Sequence, residues 1–135
     1  MSMLNDLKNI SKFFLIPAFV YFFAWVAFFL ELYAIFPWFD ILMHIIGGMS
    51  VAFAYFFTLK YFERRRYLKL NTFFMLLFVV SLVALTAVLW EFYEFILTFV
   101  TGMSFQGNLQ DTISDFFFGI LGGLTLVIIL EKAYN

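Results

Sequence analysis

The chain has 135 residues, 65% hydrophobic and 24% aromatic, with 23 Phe and only 13% charged residues. Soluble domains carry about 25% charged residues, so this composition excludes an ordinary water-soluble fold and points to the bilayer. The absence of cysteine excludes disulfides and thiolate metal sites, and a net charge of −1 conceals a strong sorting of charge by position.

Four segments reach the ~20 apolar residues that a bilayer crossing takes. In chain order they lie near 13–35, 40–62, 72–98 and 111–131. The first is too long for the apolar region of a signal peptide and has no small-residue cleavage site, so it is expected to stay as a span. Only "PWFD", "ERRRYLKLN" and "TGMSFQGNLQ" connect the spans. Connections this short force neighbouring spans into antiparallel hairpins, and the expected fold is an all-α, four-helix transmembrane bundle forming one domain over 1–135.

All eight Lys and Arg fall on one side of that bundle. Lys8 and Lys12 precede the first span, Lys60, Arg64, Arg65, Arg66 and Lys69 lie between the second and third, and Lys132 follows the fourth. The positive-inside rule makes this side cytoplasmic and places both termini there. Tyr33, Trp38, Trp90 and Tyr93 near the outer ends, and Tyr61 and Tyr67 near the inner ends, read as aromatic belts.

The acids are sorted the other way. Asp6, Glu63 and Glu131 lie on the basic side, whereas Glu31, Asp40, Glu91, Glu94, Asp111 and Asp115 all lie at outer ends, together with the only histidine, His44. Asp40 and Asp111 stand ~30 Å from the far ends of their spans, and His44 and Asp115 lie ~6 Å deeper. Capping of a helix N-terminus accounts for Asp40 and Asp111, each of which opens a span. It does not account for His44 and Asp115, a full turn inside. Glu31 reads equally well as a rim residue facing water.

Spacing orders the cluster. Asp40/His44 and Asp111/Asp115 are four apart and Glu91/Glu94 three apart, so each pair shares a helix face. The same stripes continue into Gly47, Gly48 and Ala52 on the second span and Gly119, Gly122 and Gly123 on the fourth, residues suited to close helix contact. The carboxylates are therefore expected to face the bundle interior, where ionisable groups usually carry function. Ionised carboxylates crowded in one partly desolvated layer repel each other, and the remedies are protonation, a cationic substrate or a bound metal. Carboxylate oxygens with one imidazole suit Zn, Mn or Fe, and the oxygen-rich balance also suits Ca or Mg. Asp40, His44, Glu91, Glu94, Asp111 and Asp115 are the candidate ligands of a divalent ion, without the paired Glu-x-x-His elements of di-iron bundles.

The two hairpins also read alike. Glu31-Leu32-Tyr33 and Glu91-Phe92-Tyr93 close the odd spans, and Asp40, His44, Gly48 match Asp111, Asp115, Gly119 in the even ones. This is the pattern of a parallel internal repeat about an axis along the membrane normal.

"FDILMHIIGG", "LWEFYEF" and "QGNLQDTISDFFFGILGG" resemble, in order and span position, elements of the YjdF-type inner-membrane proteins and, more distantly, VanZ-like proteins. The resemblance covers roughly residues 38–123. It implies a prokaryotic plasma membrane location and marks Asp40, His44, Glu91, Glu94, Asp111 and Asp115 as the family's polar positions. The chain departs from that pattern in having four spans rather than more, and Ile41 where a Lys often follows the Asp. The resemblance implies a site and names no activity for it.

Three readings of function follow. As an enzyme, the protein would be a metal-dependent hydrolase or transferase acting on a lipid headgroup or lipid-linked phosphate, with Glu94 as general base and Asp115 as ligand. As a cation- or proton-binding transporter-like module it would need polar groups deeper in the bundle. Thr58, Ser81, Thr86 and Thr125 are the few available, and such residues more often bond their own backbone. As a structural membrane subunit it would use the acids only to hold the outer mouth together. The expected partners are the bilayer and anionic lipid at the basic loop. Nucleic acid is discounted, because that patch is short and pinned to the membrane, and a homo-oligomer is compatible with the chain.

Overall fold

The computed structural model describes residues 3–134. Its elements are α1 (Met3–Ser11), α2 (Leu15–Phe29), α3 (Leu32–Ile35), α4 (Phe39–Arg64), α5 (Thr72–Thr101) and α6 (Leu109–Tyr134), with a 3-10 turn at Lys12–Phe14. Four stretches are long and apolar enough to cross a membrane: Asn5–Phe29, Phe39–Arg64, Thr72–Thr101 and Leu109–Tyr134. The protein is an all-helical, integral membrane four-span structure.

The caps follow local chemistry. Asn71 Oδ1 accepts from the Phe74 amide at 2.9 Å to start α5, and Gly102, at φ 71°, ends it with its amide on the Thr98 carbonyl. Asn108, not Asp111, caps α6: its Oδ1 accepts from the amides of Gln110 and Asp111. Asp40 is no cap either, since α4 begins without a side-chain cap and Asp40 already lies inside it. The first span differs from its expected 13–35 at both ends. Pro17 lacks an amide and crowds the carbonyl four residues earlier, at Phe13, where the chain tightens into the 3-10 turn. At the other end α2 stops at Phe29, and Glu31 turns the chain in the left-handed region at φ 56°. Glu31 is exposed there, apart from the other acids.

The centre of the bundle is the contact of α4 with α6. A Cβ added at Gly48 would strike the carbonyl of Gly119, and one at Gly122 would strike the carbonyl of Ile45. Gly123 leaves room for the Val83 side chain of α5. Toward the basic end, Ala52, Phe56, Met75, Val79, Val83 and Val127 form the buried core. Among the described residues Phe56 is the one buried phenylalanine; Phe19, Phe22, Phe29 and Phe99 are among the many that face outward, as a lipid-bathed surface requires. Span one packs along α4 and meets α5 through the rings of Tyr21, Trp90 and Tyr93, with Tyr21 and Tyr93 hydroxyls 2.8 Å apart.

The basic end is tied by ion pairs. Asp6 of α1 is buried and accepts from Arg65 Nη2 at 2.8 Å, Tyr61 Oη at 2.5 Å and Tyr67 Oη at 3.3 Å. Lys60 lies 3.4 Å from Glu63 and 3.5 Å from Glu131.

Gly48→Ala should lower the thermal unfolding midpoint in detergent, by overpacking worth about 1–3 kcal/mol. Gly47→Ala, whose Cβ would meet nothing within 4 Å, should leave the midpoint unchanged.

Candidate metal centre

One turn outward from the Gly48–Gly119 contact, the same two helices carry His44 and Asp115. Close backbones there bring those side chains together, and Asp40, one turn further out on α4, joins them. His44 Nε2 lies 3.6 Å from Asp40 Oδ1 and 3.5 Å from Asp115 Oδ1. One donor atom from each of the three residues lies within 4.8 Å of the others. Both histidine separations exceed a good N–H···O hydrogen bond of about 2.7–3.2 Å. They match the ~3.4 Å edge of a tetrahedron built on metal–ligand bonds of ~2.1 Å.

Burial deepens across the group. The side chains of Asp40, His44 and Asp115 are 31%, 15% and 7% exposed. Asp115 Oδ1, the oxygen turned to His44, is buried and accepts no hydrogen bond. A buried, unbonded carboxylate oxygen is costly unless something compensates it.

The other expected ligands surround this group without entering it. Glu94 is half-buried and receives a 2.7 Å hydrogen bond from Trp90 Nε1 on its Oε1. Glu91 is buried; its Oε2 accepts from Thr112 Oγ1 at 2.8 Å, tying α5 to α6, and its Oε1 has no hydrogen-bond partner. Asp111 is exposed, its carboxylate lying against Gly107. Across α4 and α6, His44 meets Asp115 and Gly48 meets Gly119.

Two cavities meet at Asp40 and Glu94. The outer one, about 380 Å³, is lined by Tyr33, Asp40, Glu94 and Asp111 and by Phe105 and Gln106 of the loop before α6. That loop is held over α2 by Phe105, stacked on Phe28 at 4.4 Å, and by the Phe105 and Gln106 amides on Thr98 Oγ1. The inner cavity, about 130 Å³, runs inward beside His44 and Gly47. Tyr33 lines both, and burial, with Asp40 and Glu94 nearby, holds its phenol well above the ordinary pKa. Deeper hydroxyls are spent on their own helices: Thr58 on Ala54, Thr86 on Leu82 and Thr125 on Leu121.

Tyr33 and Trp90, expected as belt residues, thus turn to the cavities, whereas Trp38 is exposed as a belt residue should be. The four-residue spacing of Trp90 and Glu94 was the available signal for their bond. Thr112 had none, since its partner lies on another helix.

A family model described as a predicted membrane protein, DUF2238, matches residues 5–135. The chain belongs to this family. Searches of curated proteins and of solved structures return no match. Membership of DUF2238 agrees with the four spans and assigns no chemistry to the group on α4 and α6.

Thr112→Val should strip the donor from a buried carboxylate and cost about 1–3 kcal/mol of stability. Thermal unfolding checks this, and the double variant Thr112→Val/Glu91→Leu should recover much of the loss, because no carboxylate is then left at position 91 without its donor.

Proposed function

We propose that the protein is a membrane metalloprotein that holds a divalent ion between Asp40, His44 and Asp115 and performs hydrolysis or transfer on a lipid headgroup or lipid-linked phosphate. The observation that carries this reading is the spacing of the two carboxylate oxygens about His44 Nε2, longer than good hydrogen bonds and suited to ligands of one ion. Three protein ligands with an open fourth position are the usual set of a catalytic zinc, and zinc is the first ion to test. The positive-inside rule places this end of the bundle on the extracytoplasmic face. The basic loop would then meet anionic lipid on the other side. The motif likeness to YjdF-type and VanZ-like proteins supports a shared polar layer and nothing about its chemistry.

The roles follow from position. Asp40, His44 and Asp115 bind the ion, which when bound polarises a phosphoryl oxygen. Glu94 lines both cavities beside Asp40, and the Trp90 indole fixes one of its oxygens. It is the group placed to take a proton from an attacking hydroxyl or water. Glu91 and Asp111 keep the surrounding potential negative, which favours a cation in the centre. Thr58, Thr86 and Thr125 offer no inward path for an ion, and this favours a site that binds and reacts over one that conducts.

The test is elemental analysis of detergent-purified protein by inductively coupled plasma mass spectrometry. Wild type should carry about one first-row ion per chain, and the Asp40→Asn/Asp115→Asn and His44→Ala variants should carry none. Added to metal-stripped protein, zinc at about 100 times its dissociation constant should stabilise wild type by ~2.7 kcal/mol and leave the variants unmoved. Wild type without metal, and with unchanged unfolding in added Zn, Mn, Ca or Mg, would refute the proposal.

A further inference from the structure

The inner cavity is an amphipathic slot that leads away from the candidate centre. Its polar end is Asp40, His44 and Glu94; its body is lined by Val20, Ala24, Met43, Gly47, Val51, Val83 and Ala87. One wall comes from α2, another from α4 and a third from α5. Polar groups deeper in the wall are already bonded within the protein: Ser50 Oγ donates to the Gly47 carbonyl at 2.8 Å, and Thr86 Oγ1 to the Leu82 carbonyl. Water in a buried space needs two to four polar partners, so the body of the slot suits hydrocarbon.

Gly47 separates this space from a packing defect. Gly48 and Gly122 are required by helix contact, since a Cβ at either would strike backbone. A Cβ at Gly47 would meet nothing within 4 Å. The missing side chain at 47 leaves room that no other part of the described chain fills. The flank of the slot is α2, which stands against α5 through ring contacts of Tyr21, itself 42% exposed to the bilayer. At about 130 Å³ the space is close to an engineered apolar cavity of ~150 Å³ that takes benzene. It therefore admits a stretch of one hydrocarbon chain and not two chains side by side.

We infer that the slot seats one hydrocarbon chain of a phosphate-bearing lipid from the surrounding leaflet, with the phosphate at the slot's polar end beside Asp40 and His44. The phosphate end rests on the metal reading, because bare carboxylates repel an anion. The chain end rests on the slot alone.

The probe is a phosphatidate carrying a diazirine midway along one acyl chain, incorporated in vesicles with the full-length protein. After illumination, labelled residues are mapped by mass spectrometry, and metal content is measured on the same preparation. Wild type should be labelled at Val20, Val51, Val83 and Ala87 above the lipid-facing Phe19 and Phe22. Gly47→Leu should reduce slot labelling to the level of Phe19 and Phe22 while retaining bound metal. Ala87→Phe fills the slot from the opposite wall and should do the same, so the test stands if either variant folds. Slot labelling in wild type no higher than at Phe19 and Phe22, or unchanged in both filled variants, overturns the inference. Slot labelling without any bound metal overturns the metal reading and leaves the chain site standing.

Discussion

The structure turns on the approach of α4 and α6 at Gly48 and Gly119. Where a Cβ on one helix would occupy the other's carbonyl, the two backbones are as close as helices come. In a bilayer the apolar surroundings provide no hydrophobic drive between helices, so close van der Waals contact of this kind is a principal source of association. The same contact fixes which side chains meet beyond it. Side chains one turn outward on two helices this close cannot avoid each other, and those side chains are His44 and Asp115. A bulkier residue at 48 would separate the helices and with them the imidazole and carboxylate.

Putting acids at such a place carries a desolvation cost, and the three outer carboxylates of the interior meet it differently. Glu94 has the Trp90 indole, and Glu91 has Thr112 for one oxygen. Asp115 has only His44, at a distance too long for a sound hydrogen bond. The contrast with the basic end is instructive. Asp6, equally buried, collects Arg65, Tyr61 and Tyr67 within hydrogen-bonding range. At the basic end a buried acid is paired by the protein's own side chains, whereas Asp115 keeps a buried oxygen without a hydrogen bond.

Spans, pairing of glycines and the layer of acids were legible in the sequence because each rests on periodicity along one helix. Gly48, Gly119, Gly122 and Gly123 follow the polar stripes of α4 and α6, and the structure buries all four. What was not legible depends on cross-helix geometry or on loop conformation. Capping passed from Asp111 to Asn108, because a cap is decided by where the backbone first turns helical. The end of α2 moved to Phe29, since apolarity continues through Leu30 to Ile35 although the helix does not. Gly47 is indistinguishable from Gly48 in sequence, yet the two lie about 100° apart around the helix and face different neighbours. Whether a third or fourth carboxylate joins the two around His44 is a matter of side-chain reach, on which spacing is silent.

Positions aligned between the two hairpins fare differently on and off the line where α4 meets α6. Residues matched between the halves meet on the α4–α6 axis, where His44 pairs with Asp115 and Gly48 with Gly119. Away from the axis the halves diverge. In the second hairpin Glu91 is buried and bound to Thr112, which ties α5 to α6 beside the centre. In the first, the matching Glu31 lies in an exposed left-handed turn and makes no such tie. Span one is consequently held at its outer end by rings, Tyr21 on Trp90 and Tyr93 and Phe28 on Phe105, rather than by a buried polar bond. Rings separate helices further than glycines do. The inner cavity lies beside these rings, lined by residues of α2, α4 and α5, and reaches His44. A symmetric molecule with Glu31 bound as Glu91 is would draw α2 inward and close that approach.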